Sequence, residues 1–402
     1  MNPGHSHFMF AFENGRVAYS IVQGRGFGNP LFEDSGPTAW QPPVYPYLIA
    51  GVFILFGTYS TASALVLLSM QALISALTCL PVFSIARRCF GDRVALWSAW
   101  AWALFPTAIY FQAERIWPTW LATLLLTILF SMSLNFEQST SLFRSTVYGL
   151  IWGFAALTDP VVLTVLPAVY GWMAFGLHRQ KKRWLAPLTV ASLALVVSVS
   201  PWFIRNYEVF HRFIPFRDSA GLELYIGNNG DSSYWSSASI NSALTKKIGP
   251  WHNDEDWQQF RKSEIAYMDS CQQNAITFIR THPRWFAIVT VRRFVYIWTH
   301  FWSFSPYYLS QEPDDPINIA FSSLFTFLTL IGLRRAFREN KSAAVLFALV
   351  LLFFPVVYYF THVETYFRRQ IDPIMLVLAV YGVMGFSRFS KTADSNVVSR
   401  SS

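Results

Sequence analysis

Long apolar runs constrain this chain more than any other feature. Blocks such as TASALVLLSMQALISALTCLPVFSIA (Thr61–Ala86) and LAPLTVASLALVVSVSPWFI (Leu185–Ile204) reach the ~20 residues that cross a bilayer as helix. Charged residues are 13% of the 402, against roughly 25% in soluble domains, so no ordinary water-facing surface can be built around these blocks. A soluble enzyme, a disordered chain and a disulfide-stapled secreted module are thereby excluded. Cys79, Cys89 and Cys271 are too few and too scattered for a disulfide framework or a zinc site. Lone strands cannot satisfy their backbone groups in lipid, so the expected fold class is an all-α polytopic membrane protein.

The pattern predicts about nine transmembrane helices: Thr61–Ala86, Val94–Tyr110, Thr119–Phe136, Ser145–Leu157, Val161–Leu177, Leu185–Ile204, Ile317–Leu333, Ala343–Phe360 and Ile371–Phe386. The fourth and fifth are separated only by Asp159-Pro160 and read as a tight helical hairpin. Alternation puts Arg87, Arg88, Arg93, Arg144, Arg179, Lys181, Lys182, Arg183, Arg334, Arg335, Arg338 and Lys341 on one face, which the positive-inside rule makes cytoplasmic. The formal charge of +8 is then a topology signal and implies no nucleic-acid partner. Acids partition the other way, with only Asp92, Glu137, Glu339 and Asp394 inside.

Val44–Phe56 is apolar but short and follows prolines at 42 and 43. Counted as a span it would invert every later loop, so it reads as an outer-surface juxtamembrane helix; a true span followed by an irregular loop is the alternative. Met1–Phe12 lacks the basic n-region and apolar core of a signal peptide. The expectation is that a further helix precedes Met1. The outer segment Arg205–Pro316 begins polar, with loop-like stretches such as GNNGDSSYWSS (Gly227–Ser237) and Asp254-Glu255-Asp256, which reads as solvated loop. His282–Phe304 is aromatic and carries Arg284, Arg292 and Arg293, as an interfacial amphipathic helix does. The chain thus divides into a first extracytoplasmic loop with its juxtamembrane helix (1–60), a six-helix block (61–204), an extracytoplasmic region (205–316), a three-helix block (317–388) and a disordered cytoplasmic tail (389–402).

Ionisable groups converging near membrane depth indicate function. Here the outer helix ends carry Glu13, Arg16, Glu114, Arg115, Asp159, Arg205, Asn206, His362, Glu364, Tyr366, Arg368 and Arg369. Carboxylates that take a proton, beside guanidiniums that hold a phosphate bidentately, suit attack of a hydroxyl on a sugar linked to a lipid phosphate. Each residue also has a plain structural reading. Glu13 is then a solvated loop acid, Glu114–Arg115 an interfacial ion pair, Asp159 a turn cap, and Arg368 and Arg369 snorkelling anchors.

Specific strings carry a resemblance: HFMFAFENGRVAYSIVQGRGFGNP, GPTAWQPPVYPYLIAGVFILFGTYS, ARRCFGDRVALWSAWAWALFP, SPWFIRNYEVFHRFIPFRDSAGLELYIGNN and HPRWFAIVTVRRFVYIW, in that order between His7 and Gly385. The chain resembles bacterial glycosyltransferase family 39-like proteins, polytopic C-type glycosyltransferases that use lipid-phosphate sugars. The resemblance implies a C-type glycosyltransferase fold and a membrane enzyme moving a sugar from a polyprenyl-phosphate donor to a glycan, lipid or protein acceptor. It implies a plasma (inner) membrane protein with its active site on the extracytoplasmic side. The family's essential acid lies in the first outer loop, often as Asp, and Glu13 inherits that role here. Glu114 matches loosely an acid that follows the third helix. By position and chemistry, Arg205, Arg368 and Arg369 are the donor-phosphate candidates.

One clearly offered carboxylate points to direct displacement with inversion, and Glu114 is the one residue that would revive a retaining site. No cofactor and no metal site are expected, and divalent-metal dependence, donor sugar and acceptor are open. Two other classes stay in view: a lipid-linked sugar transporter or flippase, which would need charges along a path through the spans, and a non-catalytic cell-envelope scaffold.

Overall fold

The computed structural model describes residues 10–398 except 32–34, 137–140, 230–247, 252, 253, 303, 305, 312, 340 and 365; the side chains of 114, 307, 308, 311 and 386–398 are also left undescribed. Among the described residues the regular structure is helical. A short α1 (Phe12–Val22) and α2 (Val44–Phe56) precede the long α3 (Thr61–Phe90), and then come α4 (Asp92–Ala103), α5 (Pro106–Glu114), α6 (Thr119–Phe136) and α7 (Leu142–Thr158). A 3-10 turn over Pro160–Val165 leads into α8 (Leu166–Arg179) and α9 (Leu185–Phe210). The following segment holds α10 (Ala220–Gly227), α11 (Asp254–Lys262), α12 (Glu264–Thr281), α13 (Pro283–Thr299) and α14 (Pro306–Gln311). The chain closes with α15 (Asp315–Arg338), α16 (Ala344–Phe353), α17 (Val356–Phe360), a 3-10 turn over Phe367–Ile371 and α18 (Asp372–Val398).

Local chemistry explains the boundaries. The Ser60 side chain accepts the Ser63 N–H at 3.0 Å to start α3, and Gly91 at φ 95° ends it. Pro106 and Pro355 divide two expected continuous spans, Val94–Tyr110 into α4 and α5 and Ala343–Phe360 into α16 and α17. A proline lacks the N–H for the ladder and crowds the preceding turn. Pro81 and Pro201 nevertheless lie inside unbroken α3 and α9. Two further expectations are corrected. Asp254-Glu255-Asp256 is not loop but the first turn of α11, where acids complement the helix dipole. The tail expected to be disordered from 389 continues α18 to Val398. Within GNNGDSSYWSS, residues 230–237 lie outside the described residues, as does Glu137.

Among the described residues, six stretches are long and apolar enough to cross a membrane by length and composition: Thr61–Phe90, Asp92–Ala113, Thr119–Phe136, Pro160–Arg179, Leu185–Phe210 and Asp315–Arg338; Val44–Phe56 and Ala344–Phe360 are shorter apolar helices. The chain is a multi-pass membrane protein. The outward faces carry large apolar residues such as Leu80, Phe175, Val197 and Phe327, which lipid accepts and water would not. At 13 residues, α2 is ~20 Å long, short of the ~30 Å hydrocarbon core. It packs through Tyr45, Ile49 and Phe53 against α1 and Leu67 of α3.

Because lipid gives apolar faces no reason to leave it, close backbone approach has to hold the bundle together. A Cβ on Gly149 of α7 would fall 2.0 Å from the Ala191 carbonyl oxygen of α9, and one on Gly153 would fall 1.7 Å from Ser198 Oγ. Gly332 of α15 meets the Leu378 carbonyl of α18 in the same way, at 1.9 Å. Gly149→Ala should therefore push α7 off α9 and destabilise the bundle by about 1–3 kcal/mol, read as a lowered unfolding temperature in detergent. Gly171→Ala, whose Cβ meets nothing within 4 Å, serves as the control.

Candidate active site

One cavity of about 800 Å³ collects side chains from α1, the 31–42 loop, the start of α3, the 113–119 link, the Asp159 turn, the 217–226 segment, Trp251 and residues 357–370. All belong to the set of segments that the sequence places opposite the basic loops. At the other end of the bundle arginines pair with nearby acids: Arg87 Nε with Asp92 Oδ1 at 2.8 Å and Arg335 Nε with Glu339 Oε1 at 2.7 Å.

Glu13 enters the cavity from the first turn of α1. The two preceding residues, Ala11 and Phe12, both have positive φ (67° and 46°), a conformation costing on the order of 1–3 kcal/mol per non-glycine residue. Gly15 lets α1 close on that turn, since a Cβ there would stand 2.5 Å from the Phe10 carbonyl oxygen. Burial raises the Glu13 pKa above the ordinary value of 4.5, with Arg16 pulling the other way and Glu223 adding to the rise. Arg16 lines the same cavity, and burial lowers its pKa while Glu13 raises it.

The 113–119 link is held by a buried glutamine in α3. Gln71 Oε1 accepts from Trp117 N at 2.8 Å and from Tyr45 Oη at 3.0 Å, and Nε2 donates to the Arg115 carbonyl at 3.1 Å. Arg115 is thereby presented to the cavity, its Cζ 5.5 Å from the Tyr366 ring centroid. Tyr366 stacks on Phe111 at 5.5 Å, and burial raises its pKa, with Glu364 the next cause. Asp159 caps its turn, Oδ1 accepting from Val161 N at 3.2 Å and Oδ2 accepting from Gln370 Nε2 at 2.5 Å, and the residue lines the cavity. His362 Nδ1 lies 3.5 Å from Glu223 Oε2.

The structure brings Glu13, Arg16, Arg115, Asp159, His362, Glu364 and Tyr366 to one cavity; it does not bring Arg205, Asn206, Arg368 or Arg369 there. Arg205 donates from Nη1 to the Thr38 carbonyl at 2.7 Å and from Nη2 to the Phe27 carbonyl at 2.8 Å. Asn206 accepts from Arg205 at 2.9 Å and donates to the Ile214 carbonyl at 3.0 Å. Arg368 is buried, bonded to Asp372 Oδ1 at 3.1 Å and to the Trp298 carbonyl at 2.9 Å. Arg369 lies over the Phe111 ring at 3.9 Å. The Arg205 and Arg368 guanidiniums are thus occupied by carbonyls and a carboxylate. The backbone of Glu114 ends α5; its side chain lies outside the described residues.

Sequence reasoning missed Arg217, Glu223 and Gln71. Arg217 lines the cavity, and among the described residues its guanidinium makes no hydrogen bond or ion pair, nor does that of Arg115. Glu223 sits in the first turn of α10, within a segment read only as polar. Gln71 was legible as a lone amide within an apolar run, which lipid does not tolerate without partners. The inversion argument from a single carboxylate also loses its premise, because Glu13, Asp159, Glu223 and Glu364 all line the cavity.

Residues 40–204 match the family model described as dolichyl-phosphate-mannose-protein mannosyltransferase. Over that segment the resemblance to glycosyltransferase family 39-like proteins is borne out; Glu13 and the 205–398 region lie outside it. No curated protein matches the chain. Two solved structures are similar. ArnT from Cupriavidus metallidurans bound to undecaprenyl phosphate is 14% identical, covering 96% of this chain and 75% of that chain at a TM-score of 0.40. The apo state of that protein is 13% identical, covering 92% and 71% at a TM-score of 0.37.

The loop beside the cavity is pinned by a buried acid pair. Glu264 Oε2 accepts from Thr38 Oγ1 and Oε1 from Ala39 N, each at 2.6 Å, while Asp218 N donates to the Ala39 carbonyl at 3.1 Å. Burial pushes Asp218 up to about 6, and Glu264 well above its ordinary value through burial and then the Asp218 charge. A carboxyl whose folded pKa is raised stabilises the fold fully below its unfolded pKa, and that contribution is lost as pH rises through the folded value. The pin should therefore loosen as pH climbs through about 6. Limited proteolysis of the loop should be faster at pH 8 than at pH 5, and Asp218→Asn should narrow the difference by removing one titrating group and its charge beside Glu264.

Proposed function

We propose that the protein is an inverting membrane glycosyltransferase that moves a sugar from a polyprenyl-phosphate donor to an acceptor on the extracytoplasmic face of the inner membrane. The observation that carries this reading is one cavity holding a carboxylate of raised basicity, Glu13, together with two arginines, Arg115 and Arg217, whose guanidiniums have no ion-pair partner among the described residues. The family match over residues 40–204 supports the lipid-phosphate donor class.

In this reading Glu13 takes the proton of the acceptor hydroxyl, and the freed oxygen attacks the anomeric carbon. The bond from that carbon to the phosphate oxygen breaks, and its electron pair leaves with the lipid phosphate. Arg115 and Arg217 stabilise that anion, in place of the Arg205, Arg368 and Arg369 set expected from sequence, two of which have guanidiniums committed elsewhere. Burial makes Glu13 a stronger base than a solvated glutamate, as general-base catalysis near neutral pH favours. Inversion rests on the same assignment. Asp159 is held by Val161 N and Gln370, Glu223 by His362, and Glu364 is engaged within the protein, so Glu13 is assigned as the base for a single displacement. Apolar residues along one side of the cavity, among them Phe12, Ala64, Leu68 and Trp117, offer the lipid chain a path from the membrane.

Glu13→Gln should reduce transfer from radiolabelled polyprenyl-phosphate sugar by about 10²–10⁴-fold with membrane insertion unchanged; full activity in that variant sinks the assignment. In the wild type, the acid limb of kcat/KM should lie above the ordinary glutamate value of 4.5, because the base must be ionised. Arg217→Met and Arg115→Met should each weaken donor binding by about 1.5–3 kcal/mol. The effect should appear as a raised donor KM, with acceptor KM little changed.

A further inference from the structure

The cavity contains a carboxylate–imidazole pair that the transfer step does not use. Glu223 and His362 approach to 3.5 Å between Oε2 and Nδ1, with side chains 29% and 8% exposed. The same Nδ1 lies 3.4 Å from the Glu223 carbonyl oxygen. Nδ1 makes its hydrogen bond to the Glu223 carbonyl with the Glu223 carboxylate alongside at ion-pair distance, so the ring's proton-accepting position is Nε2, and both residues line the cavity that holds Glu13.

The pair is held rigidly. Arg293 of α13, 1% exposed, donates from Nη1 to Asn228 Oδ1 and to the Phe360 carbonyl, each at 3.2 Å, and from Nη2 to the Gly227 carbonyl. Asn228 Nδ2 donates to the Phe360 carbonyl at 2.9 Å and to the Leu224 carbonyl at 2.8 Å. The ends of α10 and α17 are so close that a Cβ on Gly227 would stand 1.7 Å from the Thr361 carbonyl oxygen. This joint gives the GNN string and one arginine of VRRFVYIW a common purpose, fixing Glu223 opposite His362. The His362 ring also meets the Phe367 ring edge-on, at 5.2 Å and 65°.

Each transfer, on the reading above, leaves a proton on Glu13, in a cavity then filled by sugar and lipid phosphate. We infer that Glu223 and His362 form a proton relay that clears Glu13 between turnovers. The Glu13 proton passes through cavity water to His362 Nε2, the Nδ1 proton passes to Glu223 Oε2, and the exposed side of Glu223 releases it to solvent. Return of the Nε2 proton to Nδ1 through cavity water resets the ring, so only O–H and N–H bonds are exchanged and no further reactant is needed. The electrostatics are consistent with this route, since the Glu223 charge is one of the influences strengthening Glu13's hold on a proton; neutralising Glu223 relaxes that hold.

The relay presupposes the glycosyltransferase reading and is tested separately from it. Full-length protein in native membrane vesicles is given a panel of radiolabelled polyprenyl-phosphate hexoses and pentoses. Wild-type vesicles that transfer none of them refute the glycosyltransferase reading itself. Where wild type is active, Glu223→Gln and His362→Ala should keep the single-turnover rate, measured with enzyme in excess, while steady-state turnover falls about 10–100-fold. Added imidazole should restore steady-state turnover in His362→Ala, which repair of a merely structural defect would not produce. A single-turnover rate that falls in step with the steady state overturns the relay, as does steady-state turnover unchanged in both variants.

Discussion

One guanidinium ties the first loop of this protein to the transmembrane bundle. Arg205, near the end of α9, donates to the carbonyls of Phe27 and Thr38, on two stretches of the loop between α1 and α2 that are themselves bonded to each other, Thr38 N to the Phe27 carbonyl and Asn29 N to the Gly36 carbonyl. Its planar face lies against Phe27 and Trp202, 5.2 and 5.0 Å from the ring centroids, so the same group satisfies backbone acceptors and packs an aromatic cluster. The fork geometry of arginine is what permits this; a lysine ammonium has neither the plane nor two parallel donors. Glu264 grips the adjoining residues from the other side, through Thr38 and Ala39. Between them, α9 and α12 fix the loop, the loop leads back to α1, and α1 carries Glu13.

The distribution of charge in the rest of the molecule follows the same logic. A charge taken out of water has to be partnered, and truncating one member of such a pair costs far more than the pair contributes. Arg368 with Asp372, His300 with Asp315, and Arg293 with its ring of carbonyls are partnered in this way. Arg115 and Arg217 differ: they are half-buried along a cavity wall and hold no anion among the described residues. That contrast separates arginines that build the protein from arginines available to a ligand, and it is invisible in a list of charged residues at helix ends.

Helix punctuation shows the same dependence on context. Pro106 and Pro355 break helices, whereas Pro81 and Pro201 are absorbed into continuous ones. All four remove a backbone donor. A missing hydrogen bond is tolerated inside a membrane helix where neighbours or local adjustment re-satisfy the freed carbonyl, and that depends on what packs nearby rather than on the proline itself. The break at Pro355 places α17 where Arg293 can reach its terminal carbonyls and sets the course of the chain toward His362.

Sequence alone determined the class of this protein and the ends of two of its apolar elements: α2 and α6 begin and end where the hydropathy pattern puts them. Hydropathy is a sum over neighbours in the chain, and the cost of exposing polar backbone to lipid is paid locally, so both can be read without knowing the packing. It also picked out Glu13, Arg115, Asp159, His362, Glu364 and Tyr366, because acids and aromatics beside helix ends stand out against an apolar background. Only the tertiary structure decided which arginines face the cavity, that Gln71 and Arg293 hold its walls, and that Glu223 meets His362 across 139 residues of chain. Those facts depend on the directions of side chains from distant segments, and no local pattern encodes which carbonyl a buried guanidinium will find.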